Sequence, residues 1–156
     1  ALKKQLFYYK DYSKLSIDQI FEKKLLNDSK IIDLKILESA IYLNQNKKFE
    51  KRSVPNEINY SPIFDIVSFD SKNQKTNLIM GGNQYLVKPQ YGRYDASKGW
   101  IFNIENTSND KIHFSNLRAL NIEGQIRKFG IIETVNEKLL ITAINDKEFK
   151  FFEIDN

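Results

Sequence analysis

The side chains best suited to chemistry crowd into one stretch, "GGNQYLVKPQYGRYDASKGW", running from Gly81 to Trp100. It brings a guanidinium at Arg93, a carboxylate at Asp95 and the rings of Tyr85, Tyr91 and Tyr94 close together in sequence. These groups have two uses. Arg93 can pair an anion or carboxylate while the tyrosines stack on a ligand such as a sugar. Alternatively, Arg93 and Asp95 bond the loop backbone and each other, and the tyrosines pack the loop onto neighbouring strands. The connection exceeds the roughly 12–15 residues beyond which loops are uncommon and often functional, and its backbone polar groups need partners. We read it as an ordered structural crossing, with ligand contact as the alternative.

Other chemistry is sparse. The chain has no cysteine and a single histidine, His113, so disulfides, thiol chemistry and His/Cys metal clusters are excluded. The "IHF" context predicts a packed, hydrogen-bonded His113 rather than a base or ligand. No G-x-S-x-G elbow, P-loop or G-x-G-x-x-G is present. We therefore expect no catalytic residues in this chain and no enzyme activity.

Charge narrows the partners. The net charge is +4, from 24 Lys and Arg against 20 Asp and Glu, and Lys alternates closely with acids. Arginine occurs only at positions 52, 93, 118 and 127, which supplies no concentrated basic stripe for nucleic acid. No apolar run approaches the roughly 18 residues of a membrane span. The opening "ALKKQLFYYK" has neither an initiator Met nor a signal-peptide core, so we expect a processed product or a fragment.

The elements positioning these residues fall into two parts. Over residues 1–37, Ser16 and Gln19 have capping-box spacing, and Ile17, Ile20, Phe21 and Leu25 make a helical apolar stripe. Leu2, Leu6 and Tyr9 hint at a shorter helix before it, and "IIDLKIL" fits either helix or strand. Over residues 38–156 the apolar period shortens. "SAIYLNQNKKFEKR" reads as strand, turn at Asn44–Asn46, strand. Further strands follow in "SPIFDIVSF", "NLIMGG", "GWIFNI", "KIHFSN", "GQIRKFGIIET", "KLLITAIN" and "KEFKFFEI". Ile141–Ile144 has the continuous apolarity of a central strand, and "KEFKFFEI" the mixed character of an edge.

These units resemble a known family. "IYLNQNKKF" is similar to the L-x-N-x-G-D-G-x-F hairpin of FG-GAP/VCBS repeats, and "FDSKNQKTNLIMGG" occupies the place of their calcium-type loop and following strand. Pro55, Glu57, Asn59, Ser61 and Pro62, with Gly81 to Ser97, resemble the C-terminal end of large exported FG-GAP/VCBS proteins of the UnbV/ASPIC-associated type, common in Bacteroidetes. The resemblance covers about residues 2–154.

The resemblance implies a mainly β fold of about two β-propeller blades, part of a larger propeller, behind an N-terminal helical segment (1–37) that packs on it. Glu38–Arg52 would supply two outer strands of one blade, Pro62–Ser115 a full blade and Gly124–Ile154 about three strands of another. In this degenerate calcium-type loop (Asp70, Ser71, Asn73, Asn77) the ligand-like positions are Phe69, Ser71, Asn73 and Asn77, with Asp70, the only carboxylate nearby, one place out of register. Amides and a hydroxyl stand where calcium wants several anionic oxygens, so we expect no bound metal or other cofactor. The implied role is a non-catalytic scaffold or binding module, exported to the cell surface or outer membrane and associated with nutrient uptake there. Its partners would be the remaining blades, an envelope protein or a glycan. The alternative is part of an enzyme whose substrate clamp is Arg93–Asp95.

Overall fold

A computed structural model describes residues 6, 8–71, 75–106, 112–135 and 137–154. The chain divides into two compact units, Ala1–Leu37 and Glu38–Asn156.

Among the described residues, the first unit holds three short helices, α1 (Tyr9–Tyr12), α2 (Ile17–Ile20) and α3 (Lys23–Asn27). At the start of α2 the Ser16 amide donates to Gln19 Oε1 at 2.9 Å, the reciprocal half of a capping box. The expected stripe Ile17–Ile20–Phe21–Leu25 does not lie on one helix. Phe21 (φ −115°, ψ 143°) and Glu22 (φ −62°, ψ 141°) are extended and break it in two. No residue of the three helices is buried, and helices below about 12–15 residues are marginal without tertiary support. Of the shorter helix expected from Leu2, Leu6 and Tyr9, only α1 is seen, and Leu2 lies outside the described residues. Residues 31–37 form neither helix nor strand.

The second unit makes the protein mainly β, with nine strands in three antiparallel sheets among the described residues. The first sheet is the hairpin β1 (Ala40–Gln45) and β2 (Lys48–Ser53), closed by the pair Gln45–Lys48. Its turn is Asn46–Lys47, both at positive φ (50° and 67°), as a two-residue type I′ turn demands. The turn expected at Asn44–Asn46 is thus displaced, because Asn44 and Gln45 pair within β1. Lys47 occupies a position suited to glycine, and the left-handed region costs a non-glycine residue about 1–2 kcal/mol. Lys47→Gly should therefore stabilise the unit by about 1 kcal/mol, read as a higher urea midpoint.

After a 3-10 turn at Asn56–Tyr60 comes a four-stranded meander, β3 (Ile63–Asp70), β4 (Thr76–Gly82), β5 (Trp100–Asn106) and β6 (Ile112–Ala119). A three-stranded meander follows, β7 (Ile126–Glu133), β8 (Lys138–Ile144) and β9 (Lys150–Ile154). Period-two alternation sorts the apolar residues onto opposite faces. On one face of the four-stranded sheet, Ile79 and Ile101 pack with Ile122, Ile126, Phe129, Leu140 and Ile144, so the core lies between the two meanders. On the other face Met80 and Phe102 pack with Val54 and Ile58, with Ile41 of the hairpin against them. The central strand β4 is consequently buried on both sides. Asp65 of β3 joins the meanders, accepting the Phe129 amide and Lys128 Nζ, each at 2.7 Å.

The far face of the three-stranded sheet is different. Register pairs Ile132 with Leu139, Gly130 with Ile141 and Ile141 with Phe151. Ile132 and Phe151 are 46% and 61% exposed, and a Cβ added at Gly130 would meet nothing within 4 Å. Among the described residues of this unit, nothing covers this apolar face. No helix among the described residues is long and apolar enough to cross a membrane.

Candidate functional site

The connection between β4 and β5 is organised by an amide, not by its charges. Asn83 follows the glycine pair, is 1% exposed and has φ 117°. Its Oδ1 accepts from Ser61 Oγ (2.7 Å) and the Ser97 amide (3.0 Å), and its Nδ2 donates to the Ser97 and Gly124 carbonyls (both 2.8 Å). All four hydrogen-bonding positions of the side chain are used. One residue thereby ties the entry to β3, both ends of the long connection and the entry to β7.

A second pin comes from β7. Arg127 donates to the Asn83 carbonyl (3.0 Å) and to Gln125 Oε1 (2.8 Å), with its guanidinium 4.1 Å from the Phe64 ring centre. Gln125 Oε1 also accepts the Tyr85 amide at 2.9 Å. Further along, Gln84 and Tyr94 exchange backbone hydrogen bonds (2.8 and 2.9 Å), and Ser61 Oγ donates to the Tyr94 carbonyl (3.1 Å). The connection is a tied crossing, as a long loop with paired backbone must be.

The residues expected to do this work do something else. Arg93 lies over the Tyr85 ring at 5.0 Å and makes no ion pair with Asp95. The Asp95 side chain is exposed and has no hydrogen bond among the described residues. The mutual Arg93–Asp95 bond is thus corrected, and the structural guanidinium is Arg127. Tyr91 and Tyr94 are 69% and 43% exposed, while Tyr85 is half-buried beneath Arg93. The loop surface accordingly displays two tyrosine rings and a cation.

The calcium-type segment is occupied by its own contacts. Asp70 Oδ1 accepts from Thr76 Oγ1 (2.9 Å), Ser71 donates to the Lys75 carbonyl, and Asn77 Oδ1 accepts from Asn103 Nδ2 (2.6 Å). Asn73 lies outside the described residues. Among the described residues no cluster of three or more His, Asp or Glu could hold a metal ion.

His113 is exposed on β6, directly opposite Glu105 of β5, so the expected packed histidine is corrected. Its side chain falls on the solvent phase of the strand's alternation. Glu105 pairs with Lys75 (2.8 Å) and accepts from Ser115 Oγ (2.9 Å), and these two hydrogen bonds hold its carboxyl below the usual carboxylate range.

Sequence reasoning assigned no role to Asn83, Gln125 or Arg127. Their partners lie as far as 44 positions away, and no local spacing signals such bonds. With this geometry in hand, comparison with known proteins finds that no family model, no curated protein and no solved structure matches the chain.

Proposed function

We propose that Glu38–Asn156 is a run of consecutive β-propeller layers within a larger, non-catalytic scaffold or binding protein of the cell envelope. The observation that carries this reading is the open apolar face at Gly130, Ile132, Leu139, Ile141 and Phe151. Among the described residues of this unit, both faces of the four-stranded meander are covered by another sheet, hairpin or turn, and this face of the three-stranded meander is not. The occupant it fits is another antiparallel sheet presenting alternating apolar residues, as the four-stranded sheet does to β7 and β8. One four-stranded and one three-stranded meander are too few for a ring, which takes typically four to eight blades. The remaining layers are therefore supplied by further chain or by a partner.

Export to the surface or outer membrane, and association with nutrient uptake, follow from the resemblance of residues 55–62 and 81–97 to exported FG-GAP/VCBS proteins. The binding role is supported by Tyr91, Tyr94 and Arg93, which the tied crossing holds on its surface without internal partners for Asp95.

Fractionating the source cells with an antibody to this chain, followed by pull-down from the envelope fraction, tests the proposal. The chain should sit in the envelope and retain a partner that is lost on Tyr91→Ala/Tyr94→Ala substitution. A cytoplasmic chain, or capture unaffected by the substitutions, would contradict it.

A further inference from the structure

A cleft of about 360 Å³ opens over the four-stranded sheet, lined by Asn77, Ile101, Phe102, Asn103, Asn116 and Arg118. Three asparagines, one from each of β4, β5 and β6, form a row across it. Asn116 Nδ2 donates to Asn103 Oδ1 at 2.7 Å, and Asn103 Nδ2 donates to Asn77 Oδ1 at 2.6 Å.

This row does not arise from regular pairing. Ile101 pairs with Arg118 but Asn103 pairs with Ser115, so β6 carries an extra residue across that interval. Asn116 sits in that interval with φ 55°, outside the strand region. Bulges re-aim side chains and are over-represented beside functional sites. Here the irregular stretch brings the Asn116 amide to Asn103 and leaves Arg118 at the level of Ile101.

Among the described residues, the row leaves three groups without hydrogen-bond partners: Asn77 Nδ2 at one end, Asn116 Oδ1 at the other, and the Arg118 guanidinium. A donor, an acceptor and a cation therefore line one cleft with Ile101, which is 7% exposed. Asn77, Ile101 and Arg118 also line an adjoining wedge whose far wall includes Leu140 and Phe152 of the next sheet, with Glu153 also lining it. Ligand pockets typically run from about 300 to 1,000 Å³, with apolar walls and a few placed polar groups.

We propose that this cleft binds an acidic sugar, a uronate unit of a glycan. The carboxylate goes to Arg118, because guanidinium matches carboxylate with two parallel hydrogen bonds. Ring hydroxyls, each donor and acceptor, meet the free ends of the asparagine row beside the carboxylate position. Both walls belong to this chain, so the site is independent of any neighbouring layer and of the Tyr91–Tyr94 loop.

The test is calorimetric titration of the whole chain with tri-galacturonate and, in parallel, with galactotriose. Tri-galacturonate should bind at least tenfold more tightly than the neutral sugar, and less tightly in high salt as charge is screened. Arg118→Gln should remove that preference, and Asn116→Ala should weaken both sugars severalfold. Arg93→Gln should change nothing. Circular dichroism on each variant confirms folding, and exposed Arg118 and Asn116 can be changed without opening the core. Absence of tri-galacturonate binding, equal affinity for the two sugars, or a folded Arg118→Gln variant that keeps the preference would overturn the proposal. So would loss of binding through Arg93 instead.

Discussion

Asn83→Ala should cost the second unit about 3 kcal/mol or more, seen as a lower urea midpoint with an unchanged slope. The change strands the Ser97 amide and the carbonyls of Ser97 and Gly124, and leaves the Ser61 hydroxyl only its bond to the Tyr94 carbonyl. Each buried group left unpaired costs about 1–3 kcal/mol, and partial rearrangement recovers some of that. Asn83 also holds φ 117°, a conformation that alanine tolerates poorly and glycine freely. Asn83→Gly should therefore destabilise less than Asn83→Ala, although both lose the same hydrogen bonds. A loss below about 1 kcal/mol for the alanine variant would mean that the crossing is held by its charges after all.

Gly82→Ala should be about as damaging, for a steric reason. A Cβ at Gly82 would overlap the Pro62 carbonyl oxygen, which accepts the Asn83 amide at 3.2 Å. The obstacle is backbone, so no side-chain rotation relieves it. We expect a loss of about 3 kcal/mol, at the upper end of typical overpacking costs, together with faster proteolysis between Asn83 and Ser97. Gly130→Ala is the matched control, since its Cβ meets nothing within 4 Å. It should be neutral or slightly stabilising in thermal unfolding, as expected when a strand glycine gains a side chain without strain.

The contrast between those two glycines marks what the amino-acid sequence makes legible. Strand positions are written locally, in the alternation of Ile63–Asp70 and the continuous apolarity of Ile141–Ile144, and β8 is indeed the middle strand of its sheet with β9 at the edge. The mainly β fold and its grouping of strands follow from such patterns. The helical stripe failed because periodicity says which face is apolar, not whether anything supports the helix. At Phe21 and Glu22 the backbone extends instead. The turn slipped because Asn44 and Asn46 look alike in sequence, whereas strand register alone decides which one turns.

The candidate sites were legible only in part. The Gly81–Trp100 stretch is an ordered crossing, yet Arg93 and Asp95 do not hold it. Guanidinium chemistry is carried by Arg127, beside Phe64 and Asn83, and the loop sequence contains no trace of that residue. The asparagine row across β4, β5 and β6 depends on an irregularity between Ile101 and Asn103. Hydrogen bonds between residues brought together by topology leave no periodic signal, and such bonds build both sites.

The absence of cysteine gives direct access to the question of what covers the open sheet face. A single cysteine placed at Gly130 or Ile132 can be followed by its rate of thiol labelling, in the purified chain and in the cells it comes from. A further propeller layer on that face should leave labelling fast in the purified chain and slow it at least tenfold in the cells. Equal, fast labelling in both would mean that the face is bare in the working molecule, and the propeller reading would fall.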